Sequence, residues 1–114
     1  MRCFCEHNET NDLKIEADIV TDPIWCNQCG SNFDIEEAPI SDELKDELMR
    51  WVMMYGEWID WDKDTLRHDG IELENTHNKL GEQLTEKVKK ELDTKYKVTF
   101  FPSSTARLYA GLDF

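Results

Sequence analysis

Long apolar runs are missing from this chain. Nowhere do its 114 residues approach the roughly 18 consecutive apolar positions of a membrane span, and with 33% of residues charged the protein is expected to be soluble and off the membrane. Basic side chains are scarce as well: 13 Lys and Arg stand against 25 Asp and Glu, a formal net charge of −12. A field of that sign repels phosphate backbones, so no direct nucleic-acid binding is expected. Five glycines and three prolines are too few for a low-complexity or collagen-like chain. There is no internal repeat, and no Gly/Ser-rich linker that would divide 1–114 into independent domains. The start Met1, Arg2, Cys3, Phe4, Cys5, Glu6 turns acidic before the apolar core of a secretory signal forms. Reduced thiols and a cytoplasmic location follow from that reading, in which the Asn8-Glu9-Thr10 sequon carries no meaning. P-loop, GxGxxG and GxSxG patterns are absent, and Ser103 and Ser104 have no base marked in the sequence.

Cysteine too is sparse, but its placement is informative. The four fall into two close pairs, Cys3 and Cys5 in MRCFCEHN and Cys26 and Cys29 in IWCNQCGSNF. Thiolates two or three residues apart can bite one metal ion while the chain between the pairs closes into a hairpin. The CNQCG run resembles the knuckle of zinc-ribbon and rubredoxin-like proteins over residues 3–30, with 20 residues between Cys5 and Cys26 for the hairpin. That resemblance implies one structural zinc on Cys3, Cys5, Cys26 and Cys29, with iron the rival in the same cage. The first pair departs from the pattern, being CxC and not CxxC, so His7 stands as an alternative to Cys3 or Cys5. Four thiolates leave no position for a catalytic water, and the His-x-Glu of zinc deaminases is absent because Asn8 follows His7. The lone CxxC sits in strand-like sequence, whereas thioredoxin-type sites open a helix.

Charge is unevenly distributed. Residues 1–40 hold two basic and nine acidic side chains, residues 41–69 four and nine, and residues 70–114 seven of each. Acidity confined to the first two thirds points to a basic protein partner; solubility alone is the plainer explanation.

Along the chain, residues 13–20 alternate, with Leu13, Ile15, Ala17 and Ile19 on one face, and predict a half-buried strand. Ser41 is a suitable N-cap with Asp42 and Glu43 behind it. Leu44, Leu48, Trp51, Val52, Tyr55, Trp58 and Ile59 recur at helical spacing and predict a helix over about 42–61. Met54 and Trp61 flank its apolar face and suit either core filling or partner contact, while Met53 falls on the polar side. After a polar connector at 62–70, Leu73, His77, Leu80, Leu84, Val88 and Leu92 predict a second helix over about 72–93. Tyr96, Val98 and Phe100 then mark a strand that ends at Pro102. Asp60, Asp62 and Asp64 match the first ligand positions of a calcium loop, but Thr65 and Ile71 stand where Gly and Glu are required. His68 reads as turn chemistry and His77 as a core residue.

The expected molecule is α+β: an N-terminal zinc ribbon of short strands over 1–38, then two antiparallel helices and a C-terminal strand over 39–114, in one domain. The expected function is non-enzymatic binding, with inhibition or regulation of a basic protein in the manner of an immunity factor. A DNA mimic that inhibits a nucleic-acid-binding enzyme is the alternative, and a small zinc or CxxC redox enzyme the third.

Overall fold

The computed structural model describes residues 1, 3–5, 9–92 and 94–106. The fold is α+β, with two α-helices, a short 3-10 turn at Ile35–Glu37 and two small sheets among the described residues. Strand β1 (Asp12–Ile15) lies at the centre of a three-stranded sheet, antiparallel to β2 (Ile24–Cys26) and parallel to the C-terminal strand β5 (Lys97–Phe100). The register sets Leu13 opposite Cys26 and Val98, and Ile15 opposite Ile24 and Phe100. Alternation then sends Leu13, Ile15, Ile24, Cys26 and Val98 into the core while Lys14 and Trp25 line the other face.

Helix α1 (Asp42–Met53) starts where the capping chemistry predicts. The Ser41 hydroxyl accepts from the Leu44 amide at 3.2 Å, and the Glu91 carboxylate accepts from both the Ser41 amide and its hydroxyl at 2.6 and 2.8 Å. Helix α2 (Gly70–Glu91) runs antiparallel to it: Ser41 meets Glu91, Glu47 meets Lys87 at 2.9 Å, and Trp51 stacks on His77. One apolar core joins sheet and helices, with Leu13, Ile15 and Ile24 packed into the same cluster as Leu48, Trp51, Leu84 and Val88.

The expected helix over 42–61 is shorter than its apolar pattern. It ends at Met53, and the chain turns through Gly56 at φ 87°, a left-handed conformation that favours glycine. A Cβ at position 56 would lie 2.9 Å from the Trp61 ring, so the residue also permits a close approach. Trp58 and Ile59 are buried as expected, but in a second, smaller cluster with Ala106, and Ile59 belongs to β3 (Ile59–Asp60). The connector at 62–70 is likewise not plain loop: β4 (Thr65–Leu66) pairs antiparallel with β3. The strand expected over 13–20 ends at Ile15, with one more hydrogen bond from the Glu16 amide to the Pro23 carbonyl at 3.0 Å. Val20 at its far end is 98% exposed with φ 55°, and Ile19 is exposed too.

Helix α2 covers 70–91, close to the expected 72–93, but its buried residues are Gly70, Glu74, His77, Gly81, Leu84, Thr85 and Val88. Leu73 and Leu80 are only half-buried. The hydrophobic spacing found His77, Leu84, Val88 and Leu92, all buried, but missed Gly70, Glu74 and Gly81, because glycine and glutamate carry no apolar signal.

Candidate metal centre and interaction surface

The β1–β2 hairpin fixes one half of the cysteine cluster. Asp12 accepts from the Asn27 amide at 2.9 Å and Ser31 from the Cys26 amide at 2.8 Å, which curls residues 26–31 into a tight turn. The Gly30 amide closes that turn on the Cys26 carbonyl at 3.0 Å, with Gly30 at φ 81°. The other half is carried by the N-terminal segment. Thr10, at the entry to β1, exchanges two main-chain hydrogen bonds with Met1, at 2.8 and 3.1 Å, and Cys3 and Cys5 lie between those two residues in the chain. All four sulfurs lie within 4.8 Å of one another, and Cys5 Sγ is 3.5 Å from Cys26 Sγ. Cys26 is buried, Cys3 and Cys5 are half-buried, and Cys29 is exposed. His7, the alternative ligand, lies outside the described residues.

The main chain prepares this cluster for negative charge. The Gln28 and Cys29 amides donate to Cys26 Sγ, both at 3.4 Å, and the Cys5 amide donates to Cys3 Sγ at 3.3 Å. Burial pushes the Cys26 thiol up, but those amides and the Thr10 hydroxyl outweigh it and bring its pKa down. The Ser31 hydroxyl, 3.1 Å from Cys29 Sγ, together with the Ser31 amide lowers Cys29 to about 6. Cys5 moves upward, first because it shares a hydrogen bond with Cys3 and then because it is desolvated beside the other sulfurs. Sulfurs this close cannot all ionise without a cation between them.

The aspartates of DWDKD do not converge on a common point in a calcium-loop manner. Asp60 Oδ1 accepts from the Asp62 and Lys63 amides, both at 3.2 Å, and thereby turns the β3–β4 hairpin. His68 lines a shallow depression of about 570 Å³ on that hairpin, beside Trp61 and Arg67. Trp61 is 54% exposed and donates its indole N–H to the Gly56 carbonyl at 3.2 Å, while Met53 is exposed and Met54 half-buried.

Several acidic residues that made the sequence look like one electrostatic surface are instead fastening the chain. Asp22 accepts from the Ile35 amide at 2.7 Å, Asp34 from the Glu36 amide at 3.0 Å, Asp18 from the Ile19 amide at 2.7 Å, and Glu16 from Lys14 at 2.9 Å. On α1, Glu47 is half-buried against Lys87, whereas Asp42, Glu43 and Asp46 face solvent. Glu74 went unremarked in the sequence. Only 2% exposed, it accepts from the Ser103 hydroxyl at 2.8 Å and the Ala106 amide at 2.9 Å, and so ties the segment after β5 to α2. Its sole sequence signal was a place on the inward heptad line, which its charge disguised.

A family model described as Serratia CdiI immunity protein-like matches residues 11–103. The matched segment contains Cys26 and Cys29 but begins after Cys3 and Cys5. No curated protein matches the chain.

Proposed function

The chain belongs to the Serratia CdiI immunity protein-like family, and from that membership we propose that it binds a basic toxin protein and blocks its activity through a protein–protein interface. The family match over residues 11–103 is the observation that carries this reading. The charge distribution supports it, because Asp42, Glu43 and Asp46 stand exposed along one helix within the acidic two thirds of the chain. The protein acts by occupancy and is not an enzyme. Zinc belongs to this reading as a structural element, since four thiolates leave no coordination position for a reacting water. The site of action is the cytoplasm, where thiols stay reduced.

Association rates with the purified toxin domain test the electrostatic part. Steering by exposed charges makes association fast at low salt and steeply salt-dependent, because fields in physiological salt decay over about 8 Å. Changing Asp42, Glu43 and Asp46 to their amides should slow association more than it speeds dissociation. Glu47 is left intact because it holds Lys87. Stopped-flow rates indifferent to salt and to the three changes would refute the acidic interface. Absence of any complex, with the toxin still active in a stoichiometric mixture, would refute the immunity reading itself.

A further inference from the structure

Two chain segments converge on one small volume filled by sulfur, and we propose that a single zinc ion sits there and clamps the N-terminal segment carrying Cys3 and Cys5 onto the β1–β2 hairpin. This deepens the zinc-stabilised reading above and is independent of which partner the protein binds. Zinc–thiolate bonds of about 2.3 Å place the corners of a tetrahedron about 3.8 Å apart. The observed 3.5 Å between Cys5 and Cys26 and the 4.8 Å limit for the whole set bracket that spacing. A disulfide is a poorer account, because it needs sulfurs about 2.0 Å apart and gathers two of them, not four. The amides aimed at Cys26 and Cys3 are the outer-shell donors that thiolate ligands require.

The two halves of the cage have different origins. Cys26 and Cys29 sit on a turn of the family fold, whereas Cys3 and Cys5 lie outside the matched residues 11–103. Inside that boundary, Leu13, Ile15 and Ile24 are anchored in the main core with Leu48 and Leu84. Among the described residues, the N-terminal segment is held by the Met1–Thr10 hydrogen bonds, by the contacts of Met1, Cys3 and Cys5 with the core edge, and by its approach to the 26–31 turn through Phe4 and Cys5. Metal therefore fastens the segment, and the sheet and helices stand without it. The main chain of Phe4 hydrogen-bonds Cys29, but its side chain, in a residue 90% exposed between two ligands, takes no part in the cage.

Metal analysis and native mass spectrometry of the full chain, purified under reducing conditions without chelator, should find about one zinc per chain. Cobalt substitution should give the charge-transfer and intense visible bands of a tetrahedral four-thiolate site. Cys3→Ser and Cys29→Ser, both away from the deep core, should each weaken zinc binding by at least about ten-fold, and Phe4→Ala should leave it unchanged. On zinc removal, amide exchange should rise at residues 3–5 and 26–31 and stay protected in β1, α1 and α2. Protein that carries no zinc and binds none when it is added, iron in its place, or a cobalt spectrum with a nitrogen ligand would overturn the four-thiolate zinc assignment. Loss of protection across the helices on zinc removal would overturn the clamp.

Discussion

At position 77 an imidazole lies flat on the Trp51 indole, with ring centroids 4.7 Å apart and Trp58 edge-on at 5.1 Å. The two residues also exchange hydrogen bonds: Trp51 donates its indole N–H to the His77 carbonyl at 2.9 Å, and His77 Nε2 sits 3.1 Å from the Trp51 carbonyl. A carbonyl accepts only, so Nε2 carries the proton, and the buried Nδ1 has no partner among the described residues. Burial lowers the pKa of this histidine below 6.5, opposed by the Trp51 carbonyl and by Glu74. The folded state therefore binds fewer protons than the unfolded chain. Stability is fully present above the unfolded value of 6.5 and is lost as the pH falls from there toward the depressed folded value. Urea midpoints measured between about pH 7 and pH 5 should fall for the native protein and fall less for His77→Gln. Parallel curves for the two proteins would remove His77 from the acid response.

Helix α2 shows how an element can be weakened in isolation to fit its neighbours. Gly81 lies at mid-helix, where Ala would ordinarily stabilise by about 1 kcal/mol. An added Cβ would, however, sit 2.5 Å from a Phe100 ring carbon and 2.6 Å from a Trp51 ring carbon. Trp51 is fully buried and has nowhere to retreat, so β5 and α1 are both held close to α2 by the missing side chain. Overpacking of this kind costs about 1–3 kcal/mol and exceeds the propensity gain. Gly81→Ala should therefore destabilise by about 1–2 kcal/mol in denaturant unfolding, whereas Gln83→Ala, on the exposed side of the same helix, should be close to neutral. A stabilising Gly81→Ala would show that the three elements do not meet there. The predicted strand at 13–20 forms but is cut short: alternation continues through Ala17 and Ile19, but the partner strand β2 reaches only from Ile24 to Cys26.

Across the whole molecule, the sheet and both helices share one core, with Leu13 and Ile24 in the same cluster as Leu48, Trp51 and Val88. Sheet and helices should consequently unfold together. Far-ultraviolet dichroism and tryptophan fluorescence of the zinc-loaded protein should trace coincident thermal or denaturant transitions. A sheet that melts well before the helices would divide the chain into separate folding units. The net charge of −12 is felt at this scale as well, but fewer carboxylates are free to act on a partner than composition suggests. Asp22, Glu47, Glu74 and Glu91 each hold another part of the protein, and Asp34 and Glu16 bond residues two positions away.

The sequence alone determined the features that rest on local chemistry. The Ser41 cap with its acidic first turn, the existence of both helices, β1 and β5, and the pairing of cysteines at chelating spacing are all written in neighbouring residues. The knuckle resemblance implied that Cys3 and Cys5 meet Cys26 and Cys29, and the tertiary structure supplies the closure, through the β1–β2 register and the Met1–Thr10 hydrogen bonds. Only the tertiary structure decided that α1 ends at Met53, since Trp58 and Ile59 satisfy a helical period yet are buried by a second cluster after the Gly56 turn. Part of the inward face of α2, at Gly70, Glu74 and Gly81, was hidden for a physical reason. Glycine and a hydrogen-bonded glutamate occupy buried positions there, and their burial is favourable only because Trp51, Phe100 and the 103–106 segment arrive from elsewhere in the chain to fill the space and satisfy the charge.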